Sequence, residues 1–225
     1  MDRRQIKAVI FDLDGTLIDS EPIYFETDKK LFAEYGVNYD LAMKNKYIGI
    51  GSVKMVEELK AQYQIKDSVE TVVEKHNQRY LEIAREKTQV FPEMKRLLEL
   101  LKEQQYLIAV ASGSSPEVID IVLGSVDLRK FFSVVISAEE VKQGKPAPDI
   151  FLEVASQWGI KGEQCLVVED SRYGVMAAKS AGMYCVAIPY PPQESLDDSY
   201  LTADLLFSKG MSEFSAQKTM EWLKG

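Results

Sequence analysis

The sequence predicts an α/β protein: a doubly wound parallel sheet with a smaller all-helical domain inserted after its first strand. Three observations predict it. Short apolar runs rich in β-branched residues fall at residues 8–11, 106–111, 134–137, 165–168 and 184–188, and none alternates as a half-exposed strand would. From Phe91 onward these runs alternate with helical patterns, as expected of βαβ units. Between the first run and Phe91 there are only helical patterns.

The first run, Val9-Ile10-Phe11, stops at Asp12-Leu13-Asp14-Gly15-Thr16. Two carboxylates therefore stand at a strand's carboxyl end, the edge of an open α/β sheet where ligands bind. Residues two apart in extended chain point the same way, so Asp12 and Asp14 are expected to share a pocket. Neighbouring carboxylates repel. A hard divalent cation such as Mg²⁺, which prefers oxygen ligands, relieves that repulsion, and so does keeping one acid protonated.

Next comes a helix over residues 21–35, with Pro22 in its first turn, Gly36 after its end, and Tyr24, Phe25, Leu31, Phe32 and Tyr35 on its apolar side. A glycine-rich loop, Tyr47-Ile48-Gly49-Ile50-Gly51-Ser52, leads into a helix over 53–63. Ser68 reads as the N-cap of a longer helix to residue 87, with Val69, Val72, Val73, His76, Tyr80, Ile83 and Ala84 at helical spacing. His76, the sole histidine, lies on that apolar face and is expected to be packed and satisfied rather than catalytic. The domain boundaries follow: residues 1–19 and 88–225 form the α/β core, and residues 20–87 the helical insert.

Beyond the insert, Met94, Leu97, Leu98 and Leu101 mark a helix, and the strand at 106–111 ends at Ser112-Gly113-Ser114-Ser115. A helix starts at Pro116 and a short strand follows at 134–137. Lys145-Pro146-Ala147-Pro148-Asp149 opens a helix to residue 158, and the strand at 165–168 ends at Glu169-Asp170-Ser171. A helix over 172–181 closes at Gly182 before the strand at 184–188; an edge strand at 205–207 and a helix over 214–223 complete the chain.

Composition narrows the function. The 225 residues are 46% hydrophobic, enough for a substantial core. A net charge of −8 and a pI near 4.9 argue against a binder of nucleic-acid backbone, which needs clustered Lys and Arg. No apolar run approaches the roughly 18 residues that span a bilayer, and Asp12 interrupts the N-terminal apolar stretch, so neither a membrane span nor a signal peptide is expected. Cys165 and Cys185 each lie beside a buried run and read as free core thiols, which fits a reducing, cytoplasmic setting.

Four strand ends thus collect polar groups: Asp12 with Asp14, Ser112, the Lys145 loop, and Glu169 with Asp170. The segments Phe-Asp-Leu-Asp-Gly-Thr, Ala-Ser-Gly-Ser, Gly-Lys-Pro-Ala-Pro-Asp-Ile-Phe and Val-Glu-Asp-Ser, in this order, resemble the four motifs of the haloacid dehalogenase-like hydrolase superfamily. With Gly174 and Ala-Ala-Lys-Ser-Ala-Gly-Met183 they are similar to its β-phosphoglucomutase and phosphoglycolate phosphatase subfamily, whose core is Rossmann-like and whose helical cap corresponds to the insert.

The resemblance implies an Mg²⁺-dependent phosphatase acting on a small phosphorylated metabolite through an aspartyl phosphate. Asp12 would attack phosphorus, and Asp14 would protonate the leaving oxygen, later activate water, and offer its main-chain carbonyl to the metal. Asp12, Asp170 and Glu169 would hold Mg²⁺, with Glu169 either a ligand or a partner of one. Ser112 and the Gly113 amide would bind phosphoryl oxygens, with Thr16 near them, and Lys145 would offset the gathered negative charge. Tyr24, Ser52, Lys54 and the Gly49 to Gly51 loop are the candidates for substrate selection in the cap. No nucleic-acid or membrane partner is expected, and the chain reads as a monomer.

Within the superfamily the alternative is a β-phosphoglucomutase-type isomerase. That enzyme carries a cap histidine where this chain has Tyr24 and a cap arginine that the segment Gly49-Ile50-Gly51-Ser52-Val53-Lys54 lacks, and it has valine where Thr16 stands. Dehalogenases lack the second Asp of the first motif, and no Schiff-base lysine for a phosphonatase is assignable. Outside the enzymes, a receiver-like phosphoacceptor or a non-catalytic binding protein remains. The insert and Asp14 argue against the first, and the full set of motif residues against the second.

Overall fold

A computed structural model of the chain describes residues 3–47, 52–190 and 196–225. The chain forms two compact units, one of Met1–Asp19 with Gln89–Gly225 and the other of Ser20–Thr88.

The larger unit holds a six-stranded, wholly parallel sheet. Its strands are β1 (Ala8–Phe11), β2 (Leu107–Ser112), β3 (Val134–Ser137), β4 (Cys165–Glu169), β5 (Tyr184–Ala187) and β6 (Leu205–Leu206), in the order β3-β2-β1-β4-β5-β6. The chain winds outward from β1 to β3, then crosses back to lay β4 against the other side of β1. That reversal makes the carboxyl ends of β1 and β4 the switch point of a doubly wound sheet, the edge at which such folds bind ligands. Register puts Phe11 beside Val110 on one side and Val168 on the other. The residues that follow, Asp12 and Glu169-Asp170, consequently leave the sheet at the same level.

The smaller unit supplies α1 (Glu21–Ala33), α2 (Leu41–Tyr47), α3 (Ser52–Tyr63) and α4 (Val69–Lys87). In the larger unit come α5 (Pro92–Glu103), α6 (Pro116–Ser125), α7 (Asp149–Trp158), α8 (Arg172–Ser180) and α9 (Ala216–Lys224). Ala8 and Ile10 of β1 face a core built with Phe151 and Val154 of α7 and Val175 and Ala178 of α8. Alternation along the strand turns Val9 and Phe11 to the opposite face, and both are fully buried. A strand covered on both faces needs no polar positions, which is why β1 reads as an unbroken apolar run. Cys165 and Cys185 are buried free thiols. Among the described residues no helix is long and apolar enough to cross a membrane.

The insert has its own core, in which Leu31 and Phe32 of α1 pack with Met55, Val56 and Leu59 of α3 and Val72 of α4. It contains one helix more than the sequence predicts, α2. The first helix ends at Ala33, short of residue 35, because the chain turns through Gly36 at φ +74°. The Gly49 to Gly51 loop lies outside the described residues. His76 is buried, as its position on the apolar side predicts, but only half satisfied: its Nε2 lies 3.0 Å from the buried Asp28 Oδ1, while its Nδ1 has no hydrogen-bond partner among the described residues.

The chain leaves the larger unit and re-enters it side by side. The Asp19 amide donates to Gln89 O at 3.0 Å, the Phe91 amide donates to Leu17 O at 3.1 Å, and Ile18 bridges Val90. Tyr190 donates its hydroxyl to Asp19 Oδ1 at 2.5 Å and sets its ring edge-on to Phe91, 5.6 Å between centroids.

Candidate active site

The chain does not stay extended after β1. The amides of Leu17 and Ile18 both donate to Leu13 O, at 2.9 and 3.1 Å, and Gly15 takes φ +80°, so residues 13–18 close into a tight turn. This corrects the simple two-residue alternation expected for Asp12 and Asp14. Asp14 is carried back on a turn rather than along a strand, though it remains close enough for its charge to be felt at Asp12. Glycine is required at position 15, since a Cβ there would overlap the Asp170 carboxylate, besides facing the positive φ.

Lys145 is the hub of the site. With its side chain 11% exposed, it donates to Asp12 Oδ1 and Glu169 Oε1 at 2.5 Å each and to Ala111 O at 3.2 Å. The three donors of one ammonium thus tie together the ends of β1, β2 and β4. Asp12, Glu169 and Asp170 each bring a carboxylate oxygen to within 4.8 Å of the others, and all three are buried. Burial pushes the Asp12 carboxyl up to about 7; Lys145 opposes the rise, and Glu169 and Asp14 add to it. Asp170 is driven well above the usual carboxylate range by burial, then by the charges of Asp12 and Glu169. Burial disfavours the charge on Lys145, but its two acidic partners outweigh that and raise its pKa.

Each acid has a support. Glu169 uses its second oxygen, Oε2, to accept from the Ser171 amide at 3.0 Å and the Ser171 hydroxyl at 2.9 Å. Ser171 in turn caps α8, accepting from the Gly174 amide at 3.0 Å. Thr16, expected near substrate, is fully buried and donates to Asp170 Oδ1 at 3.3 Å, so its hydroxyl serves the acid. The Tyr200 hydroxyl donates to the Asp170 main-chain carbonyl at 2.9 Å. Ser112 is buried at the end of β2, where its Oγ accepts from the Ser114 amide at 3.0 Å; Gly113 beside it is exposed, with open space around its α-carbon.

The sequence-predicted core residues Asp12, Asp14, Thr16, Ser112, Gly113, Lys145, Glu169 and Asp170 all lie at this one edge of the sheet. Tyr24, Ser52 and Lys54 belong to the other unit. Tyr24 is half-buried against Tyr80, Ser52 is the half-buried first residue of α3, and Lys54 is exposed. Sequence reasoning passed over Ser114, Ser171 and Tyr200. Ser171 carried a readable signal, a serine directly before a helix; Tyr200 carried none.

A buried carboxylate held by a lysine, beside two further buried acids at the switch point of the sheet, is the setting of an enzyme of the phosphatase class. A profile of haloacid dehalogenase-like hydrolases matches residues 9–188, and the chain belongs to that family. It is 33% identical to hexitol phosphatase B of Escherichia coli K12 over 219 residues, covering 95% of this chain and 96% of that one. It is likewise 33% identical to a phosphorylated carbohydrates phosphatase of Thermotoga maritima over 178 residues, 79% of this chain and 82% of the other. A Thermotoga maritima crystal structure assigned as a β-phosphoglucomutase superposes with a TM-score of 0.82 at 29% identity, covering 97% and 99% of the two chains.

Proposed function

We propose that this enzyme hydrolyses a small sugar phosphate through an aspartyl phosphate at Asp12, with Mg²⁺ as its cofactor. The observation that carries the reading is the contact of Lys145 with both Asp12 and Glu169 at the end of β1 and β4. The two phosphatases of hexitols and carbohydrates above support the substrate class.

The donor set fits a hard divalent cation. It is buried, made only of oxygen, and so crowded with negative charge that Asp12 and Asp170 are both pushed toward their neutral forms. Asp12 and Asp170 would hold the ion, with the Asp14 carbonyl. Glu169 has both oxygens engaged by Lys145 and Ser171, so its part is to fix Lys145. When bound, the cation supplies charge neutralisation at the phosphoryl oxygens and keeps the Asp12 carboxylate ionised.

In the first step an Asp12 oxygen forms a bond to phosphorus while the bond to the sugar oxygen breaks, and Asp14 passes its proton to that leaving oxygen. In the second, Asp14 takes a proton from water, whose oxygen bonds to phosphorus as the bond to Asp12 breaks, releasing inorganic phosphate. Lys145 stands against the charge that collects on Asp12 and the phosphoryl group. The Ser112 hydroxyl and Gly113 amide are the donors for phosphoryl oxygens. The helical unit acts as the cap, with Tyr24, Ser52 and Lys54 selecting the sugar; the setting is cytoplasmic and the partners are small phosphorylated metabolites.

The test is phosphate release from a panel of sugar phosphates and other small monoesters, with Mg²⁺ or with EDTA, for wild type and Asp12→Asn. The reading requires Mg²⁺-dependent release that the variant loses. A folded wild type that releases none, yet isomerises glucose 1-phosphate, would replace hydrolysis with mutase chemistry.

A further inference from the structure

We propose that Ser114 is a positioning residue for the acid–base carboxyl of Asp14, held in its own place by Ser137. The inference rests on the phosphatase reading, in which Asp14 gives and takes the proton. The Ser114 hydroxyl donates to Asp14 Oδ2 at 2.7 Å across 100 residues of sequence. Ser114 is itself fixed at its main chain on both sides. Its amide donates to Ser112 Oγ at 3.0 Å, and its carbonyl accepts from Ser137 Oγ at 2.7 Å.

Ser137 is an anchor of some rigidity. It is fully buried at the end of β3, in register with Ser112. Its amide donates to Glu140 Oε2 at 2.7 Å, and its hydroxyl accepts from the Glu139 amide at 3.1 Å. A line of hydrogen bonds thus runs across the carboxyl ends of three adjacent strands, from β3 through the loop after β2 to the turn after β1. Helix capping does not account for Ser114, because the next residue, Ser115, caps α6 by accepting from the Val118 amide at 3.4 Å.

The chemical use of the contact is orientational. Asp14 rides on a turn, and a general acid must point one oxygen at the leaving group to within hydrogen-bond reach. With Ser114 donating to Oδ2, the transferable proton belongs on Oδ1. The contact survives both states of Asp14, since Oδ2 accepts whether or not Oδ1 carries the proton.

The experiment compares kcat/KM for p-nitrophenyl phosphate, whose leaving group departs without a proton, and for alkyl or sugar phosphates, which need one. Wild type, Ser114→Ala, Ser114→Thr and Asp14→Asn are measured side by side. Because general acid catalysis contributes about 10²–10⁴-fold, Ser114→Ala is expected to lose roughly 10–100-fold on alkyl phosphates and less than about 3-fold on p-nitrophenyl phosphate. Ser114→Thr, which keeps the hydroxyl, restores the alkyl rate. Ser137→Ala, which leaves the Ser114 side chain intact, shows the same selectivity at smaller size and carries the test if Ser114→Ala fails to fold. Equal losses on both substrates, or none on either, overturn the positioning role while a selective Asp14→Asn leaves the phosphatase reading standing. An Asp14→Asn variant without selectivity removes the acid–base assignment itself.

Discussion

Gly174 lies against the Glu169 carboxyl group so closely that a Cβ at position 174 would overlap it. Glycine is unfavourable inside a helix, and Gly174 sits in the first turn of α8, so the position has been given to the acid rather than to the helix. Gly174→Ala tests which demand dominates. On helix propensity alone alanine would stabilise by ~1 kcal/mol. We expect a destabilisation of about 1–3 kcal/mol from overpacking, with phosphatase activity falling because Lys145 loses its second partner. Urea titration and phosphate release on the same preparation give both values.

Lys145→Met leaves Asp12 and Glu169 facing each other without their shared cation. Removing one member of a buried ion pair typically costs about 3–5 kcal/mol. The deficit should shrink as pH falls from 8 to 5, because protonating Asp12, whose carboxyl burial pushes up to about 7, removes charge that the lysine had balanced. Chemical denaturation of variant and wild type across that range measures it. A pH-independent deficit would point to lost packing instead.

Asp12 makes the metal-free protein sensitive to pH in an unusual sense. Its folded pKa, about 7, lies above the ordinary 3.8, so between those values the folded state binds more protons than the unfolded one. Its contribution is therefore fully present below pH 4 and declines as pH rises through 7. In EDTA, Asp12→Asn, which mimics the neutral acid, should gain stability relative to wild type as pH goes from 5 to 8. Thermal melts of the pair show it directly; a difference that stays flat, or runs the other way, removes burial as the dominant cause.

Adding Mg²⁺ should reverse that behaviour. An ion bound only by the folded state contributes about 2.7 kcal/mol at 100 times its Kd. Wild type should melt later with Mg²⁺ than with EDTA at neutral pH, and Asp170→Asn should lose most of that shift together with activity. Glu169→Gln, by our assignment, should lose activity and yet keep much of the Mg²⁺ shift. If instead it abolishes the shift, Glu169 is a metal ligand.

The sheet could be read from sequence because its strands are buried on both faces and so leave unbroken apolar runs. The strand ends could be read because Asp12, Ser112, Lys145 and Glu169-Asp170 interrupt those runs with polar residues. Short elements without a face are another matter. Helix α2 buries only Tyr47 of its seven residues, so no period marks it, and the available signal was Asp40, which accepts from the Met43 amide at 2.9 Å. Contacts between distant residues are equally silent: nothing near Thr16 announces Asp170, and nothing near Ser114 announces Asp14. The family resemblance named the acids and the lysine, whereas the hydroxyls that hold them emerge only when the strands are laid side by side.

The paired linkers have an evolutionary consequence. With Asp19 bonded to Gln89 and Ile18 bridged to Val90, the α/β unit closes on itself where the insert departs. To the sheet, everything from Ser20 to Thr88 is one loop, and doubling such a loop costs only about 0.6 kcal/mol. Natural selection can then trade one insert for another of different length without rebuilding the sheet. A protein engineer has the same freedom: a segment from a relative, grafted between Asp19 and Gln89, would leave the paired ends and the Asp12–Lys145 contact as they are.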